Sequence, residues 1–195
     1  MKAYSEYWIA TMVRGLLSIL AGTGILFFPE MAATLLLLPF AIFISILCLA
    51  AYGTLDSAIV LTTSFMVPHR QAGRLALRAQ GICGALIGVL LFALVYDRFD
   101  IHWFVYLAAF QATATAVAEF IVARETAEHH AARWCYAASI IAAVSAVALL
   151  FGRSLGPREL AWLLYGYLGI FGFNLFALSA RMLFAGKKLF PVMHA

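Results

Sequence analysis

Charge is what this sequence has least of. Only 11% of its 195 residues are Asp, Glu, Lys or Arg, while 65% are hydrophobic and the mean hydropathy is +0.98. A soluble domain carries about 25% charged and about 45–50% apolar residues. A single water-soluble core of this size cannot hide such a surplus of apolar side chains, because much of a small domain stays at its surface. The shortage of charge therefore excludes an ordinary soluble domain and points to the lipid bilayer. The net charge of +4 and pI of about 9.1 do not mark a nucleic-acid surface. The basic residues are scattered over the ends of apolar runs, as membrane topology requires, instead of forming one patch.

Other absences narrow the chemistry. The only cysteines are Cys48, Cys83 and Cys135, all in or beside apolar runs and none at a pairing spacing. That argues for small core residues and against a disulfide framework or a zinc site. There is no phosphate-cradling glycine loop, no Gly-x-Ser-x-Gly elbow and no His-Glu-x-x-His helix. No lysine falls inside a candidate span, which rules out a retinal Schiff base, and no span carries a histidine pair suited to haem. Glu128, His129 and His130 sit together in a polar connection, but a metal there needs ligands from elsewhere. A solvated loop is the simpler reading. His102, close to Asp97 and Asp100, is placed to titrate with external acid. The expectation is a non-enzymatic protein without cofactor, metal or nucleic-acid partner.

What is present is a series of long apolar runs. A membrane helix needs about 20 such residues, and six runs qualify: about Ile9–Phe28, Ala32–Val67, Leu75–Val95, Ile101–Val122, Trp134–Phe151 and Leu160–Phe184. The first is too long for a secretory signal, contains Arg14 and ends without a small-residue cleavage site, so it reads as a retained span. Pro29-Glu30 is the expected turn after it. The second run is too long for one straight span at about 1.5 Å per residue, and a bend is expected at Pro39 or Gly53. Nine basic residues fall on the side of the termini and the two longer connections, against Arg98, Arg153 and Arg158 on the other. The positive-inside rule then places both termini in the cytoplasm. The whole chain reads as one all-α polytopic membrane domain, with the bilayer as its first partner.

Short turns after the first, third and fifth runs divide the chain into three helical hairpins, roughly residues 1–68, 69–128 and 129–188. Aligning one polar residue late in each second helix superposes Asp56, Glu119 and Asn174. In the first helices Gly15 and Gly22 match Gly81 and Gly88, seven apart in both repeats, and the third repeat has alanines there. Small residues let helices in lipid approach closely. Gly15, Gly22, Gly81, Gly84 and Gly88, with Gly166, Gly169 and Gly172, are accordingly expected at packing faces. An intramolecular role is favoured over a homo-oligomer contact.

Arg14-Gly15 at the start, a glycine one period on at Gly22, Phe28-Pro29 at the turn and an acid late in the second helix together resemble the HdeD-like family of bacterial inner-membrane proteins. The resemblance extends over nearly the whole chain through the repeat. It departs in the long second run, in the missing glycines of repeat three and in Asn174 at the acid position. It implies a six-helix membrane protein with a connection to acid or envelope stress, and it implies no catalytic residues.

Ionisable groups inside a bilayer are costly and need a partner or a cavity. The candidates are Arg14, Asp56, Arg78, Glu119 and Asn174. Hairpin geometry brings Arg14 beside Asp56 and Arg78 beside Glu119, while Asn174 can hydrogen-bond across helices; Arg14 can instead snorkel to the headgroups. Repeated interhelical clasps are the favoured reading. The alternatives are a channel or proton-coupled transporter with Asp56 and Glu119 lining a cytoplasm-facing cavity, and an accessory subunit of a larger membrane complex that presents Gly84 and Gly88 to its partner.

Overall fold

A computed structural model describes residues 2–34, 38–66, 71–97, 101–125 and 129–189, with side chains placed over 8–27, 44–65, 71–93, 102–125 and 132–183 apart from 153 and 157. The described residues form six α-helices and one short 3-10 turn: α1 (Lys2–Thr34), α2 (Leu38–Met66), α3 (Gln71–Asp97), α4 (Ile101–Glu125), α5 (His129–Phe151) and α6 (Pro157–Leu189), with the 3-10 turn at Gly152–Ser154. Each helix contains an apolar stretch of 20 to 26 residues, long enough to cross the hydrocarbon core. The chain is a multi-pass, all-α membrane protein. An even number of spans returns it to the side on which it starts, here termed the terminal side.

Two expected breaks move. Pro29-Glu30 does not end the first helix, because α1 runs on to Thr34. A proline removes one backbone donor, and helices in membranes tolerate that when the residues beyond it propagate well. Residues 30–34 therefore belong to α1, and the second apolar span is Ile44–Phe65, 22 residues and of ordinary length. No break occurs within α2, which is continuous from Leu38 through Gly53 to Met66. Pro39 stands in its first turn, where the missing N–H has no intrahelical partner to lose. Pro157 opens α6 in the same way after the Gly156 turn, and Leu155 N–H donates to the Gly152 carbonyl at 2.9 Å.

The helices form a closed ring in chain order, with α6 returning to α1. The most extensive contacts are α1 with α6, α2 with α3 and α4 with α5. Thus the first helix of each hairpin seats on the second helix of a neighbouring hairpin, more tightly than on its own partner. The glycines explain why. A Cβ at Gly15 would lie 2.8 Å from the Gly172 carbonyl oxygen, and one at Gly172 would lie 2.6 Å from that of Gly15. Gly22 faces Leu168 and Tyr165 of α6, while Gly81, Gly84 and Gly88 face Leu61, Ser57 and Thr54 of α2. In the third repeat alanines do the same work: Ala138 and Ala142 of α5 are fully buried, packed in one cluster with Ala116 of α4. The small-residue stripes are thus used inside the chain. Gly166 and Gly169 are exceptions, since a Cβ on either would meet nothing within 4 Å.

The outside of the ring is apolar. Leu20, Phe65, Leu86, Phe110, Ile140 and Phe173 are among its exposed residues. They face the lipid that composition demanded. On the terminal side the Glu125 carboxylate accepts the Gly73 N–H at 2.9 Å, capping the first turn of α3 from the end of α4.

Replacing Gly15 or Gly172 by leucine forces two backbones apart. It should cost about 1–3 kcal/mol or more in reversible unfolding in mixed micelles, the range for overpacked cores. Gly166→Leu and Gly169→Leu should change the same measurement by less than about 0.5 kcal/mol.

Candidate functional site

At the centre of the ring lies one buried polar layer. Arg14 enters it from α1 with its Nε donating to Asp56 Oδ1 at 2.7 Å and its Nη2 to Asp56 Oδ2 at 3.4 Å. The same guanidinium reaches α4, opposite α1 in the ring, where Nη1 donates to Glu119 Oε1 at 3.2 Å. Arg14, Asp56 and Glu119 are 5%, 4% and 2% exposed. Each stands six to nine residues inside the terminal-side end of its apolar span, or about 9–14 Å deep along the helix.

Two charged partners come from different repeats, so one side chain ties three helices together. Asn174, the third aligned position, is also buried; its Nδ2 donates to the Trp134 carbonyl of α5 at 3.0 Å. The rest of the ring is stitched at similar depth. Ser18 Oγ donates to the Leu168 carbonyl of α6 at 2.8 Å, Ser139 Oγ to the Ala116 carbonyl of α4 at 2.8 Å, and Gln80 Nε2 to Thr115 Oγ at 3.3 Å.

Apolar layers close the polar one on both sides. Four residues beyond Asp56, Glu119 and Asn174, towards the terminal side, stand Val60, Ala123 and Leu178, packed with Leu77, Val122 and Cys135. On the other side a larger cluster draws Ile25, Leu49, Leu91, Phe104, Leu149 and Leu164 from all six helices. The threefold character is legible here, since the same three helix positions supply first a polar and then an apolar tier.

The expected clasp between Arg14 and Asp56 is present, and snorkelling of Arg14 is excluded by its burial. The expected pairing of Arg78 with Glu119 is not: Glu119 is bound by Arg14, and Arg78 instead lies over the Phe65 ring with 4.4 Å between its guanidinium carbon and the ring centroid. Hairpin reasoning fails there because Arg14 reaches Glu119 from across the ring, while Arg78 packs on Phe65 of the closely seated α2. Gln80, Thr115 and Ser18 went unnoticed in the sequence. A signal existed for one of them, since Gln80-Gly81 occupies the place of Arg14-Gly15 in the repeat. Among the described residues no group of three His, Cys, Asp or Glu side chains is placed to hold a metal ion. His102 is exposed; Glu128 and the side chains of His129 and His130 lie outside the described residues.

No family model, curated protein or solved structure matches the chain.

Chemically, the described side chains of the layer are a guanidinium, two carboxylates, amides and hydroxyls. Its charges do not balance: one guanidinium faces two carboxylates. Arg14→Met should destabilise the protein by about 3–5 kcal/mol, the cost of leaving a buried charge unpaired. Arg78→Met should cost about 1–2 kcal/mol, the size of a partly desolvated cation–π contact. Chemical unfolding in micelles checks both, and equal losses would mean that Arg78 also serves the core.

Proposed function

We propose that this chain is a non-enzymatic integral protein of the bacterial inner membrane, of the HdeD-like kind, acting in acid or envelope stress with its termini in the cytoplasm. The supporting observation is the polar layer itself. Arg14, Asp56 and Glu119 are nearly fully buried and are sealed between apolar tiers. A group so enclosed holds a bundle together; it does not present a reacting surface to a soluble substrate. The resemblance of the Arg14-Gly15, Gly22 and Phe28-Pro29 pattern supplies the stress context, and the distribution of basic residues supplies the orientation. The reading as a scaffold subunit has lost one support, since Gly84 and Gly88 are occupied by α2.

A second reading, proton-coupled transport, is favoured by one specific observation. Among the described residues the layer carries one more carboxylate than it has cations, and carboxyls inside a membrane mark proton paths in pumps and transporters.

Cells deleted for the gene should survive acid shock at least tenfold less well than the parent, with recovery on expression of the wild-type chain. Unchanged survival would contradict the stress role. Proteoliposomes separate the second reading. Transport predicts a proton flux that Glu119→Gln abolishes, whereas the leading reading predicts the same flux from wild type, variant and empty liposomes.

A further inference from the structure

The charge count of the layer has a physical consequence. Two carboxylates and one guanidinium leave a net charge of −1 when all are ionised. An uncompensated charge in a water-poor interior costs several kcal/mol, and the bilayer around this ring makes it costlier. The groups that face Glu119 supply no second cation. They are Arg14 from α1, Asp56 from α2, Cys135 from α5 and Tyr167 from α6. On the α3 side stand the neutral Gln80, joined to Thr115 one turn along α4, and Arg78, whose guanidinium is turned onto the Phe65 ring and whose Nε is buried without a partner.

The two carboxylates are not equivalent. Asp56 takes two donors of the guanidinium fork, at 2.7 and 3.4 Å, the arrangement that favours an ionised carboxylate. Glu119 takes one, at 3.2 Å, on Oε1 alone. The neighbourhood also contains acceptors in need of a donor. Gln80 is 3% exposed and its Oε1 is buried with no hydrogen-bond partner, as is Gln111 Oε1 two turns along α4 from Glu119. A buried acceptor left unpaired costs about 1–3 kcal/mol. Finally, Gly53 is buried, yet a Cβ there would meet nothing within 4 Å, so open space lies beside α2 one turn from Asp56.

We propose that the polar layer is a proton-binding site, with the bound proton on the Glu119 carboxyl while Asp56 remains the ionised partner of Arg14. The proton comes from water and forms the O–H bond of a neutral carboxylic acid. Arg14 continues to donate to Oε1, the acid O–H is a donor in a region where the Gln80 amide oxygen lacks one, and the layer becomes electrically neutral. The site is the one invoked for proton-coupled transport, but the inference does not need transport. A bound proton with no flux in liposomes would leave it standing and remove only that reading.

Infrared spectroscopy of the purified protein in lipid nanodiscs at about neutral pH tests it directly. A protonated carboxyl shows a carbonyl-stretch band separate from ionised carboxylates, and transfer to heavy water shifts it. The expected result is one such band, lost in Glu119→Gln because the acid is gone and lost in Asp56→Asn because Glu119 then ionises as the one carboxylate bound to Arg14. Labelling glutamate side-chain carboxyls with carbon-13 should shift the band in the unsubstituted protein, which decides the matter even where a variant fails to fold. Absence of the band, or its insensitivity to glutamate labelling, would overturn the proposal.

Discussion

The structure depends on a single guanidinium held between two carboxylates where water is scarce. Arg14 cannot reach Asp56 on its own hairpin and Glu119 on the far side of the ring unless six helices close around it. They can close only because the first helix of each repeat carries glycine or alanine where it meets the second helix of the neighbouring repeat. Gly15 against Gly172 is the tightest example, with each residue occupying the place where the other would carry a side chain. Close packing and the central ion cluster are thus two parts of one constraint. Small residues bring the backbones together, and the cluster gives the resulting interior a polar centre that must stay satisfied.

The repeat is nearly threefold in its backbone and sharply asymmetric in its charges. Asp56, Glu119 and Asn174 occupy equivalent places, but only two are acids. Arg14 has Gln80 as its counterpart in the second repeat. A symmetric layer of three acid–arginine pairs would be neutral and purely structural. This one has a single cation, two acids and two amides, Gln80 and Asn174, and that difference concentrates any chemistry of the layer on Glu119. The terminal-side tier of Val60, Ala123 and Leu178 keeps the layer from water and makes the imbalance matter.

Much of this was legible in the sequence, and what was not has a clear physical cause. Six spans follow from hydropathy alone, since lipid leaves little else for such a composition to do. The Arg14–Asp56 clasp follows from the geometry of one hairpin. The link from Arg14 to Glu119 does not, because it joins opposite members of a ring and no local pattern announces ring closure. The pairing expected of Arg78 failed for the same reason, as hairpin logic sees only helices adjacent across a short turn. Pro29 misled in another way. Proline weighs heavily as a terminator in water, but in an apolar run followed by good helix formers the backbone continued to Thr34. The long second run that resulted was an artefact of misplacing one turn, and no bend at Gly53 was needed.

The central claim is that Arg14, Asp56 and Glu119 act as one electrostatic unit, so that removing Arg14 alone is worse than removing all three. The most direct measurement compares the unfolding free energy of Arg14→Met with that of the triple variant Arg14→Met, Asp56→Val, Glu119→Met in the same micelles. The account predicts that the triple variant unfolds within about 1 kcal/mol of the wild type, because apolar residues replace a buried ion cluster at little cost. A triple variant that loses stability as the sum of its three single substitutions would contradict it.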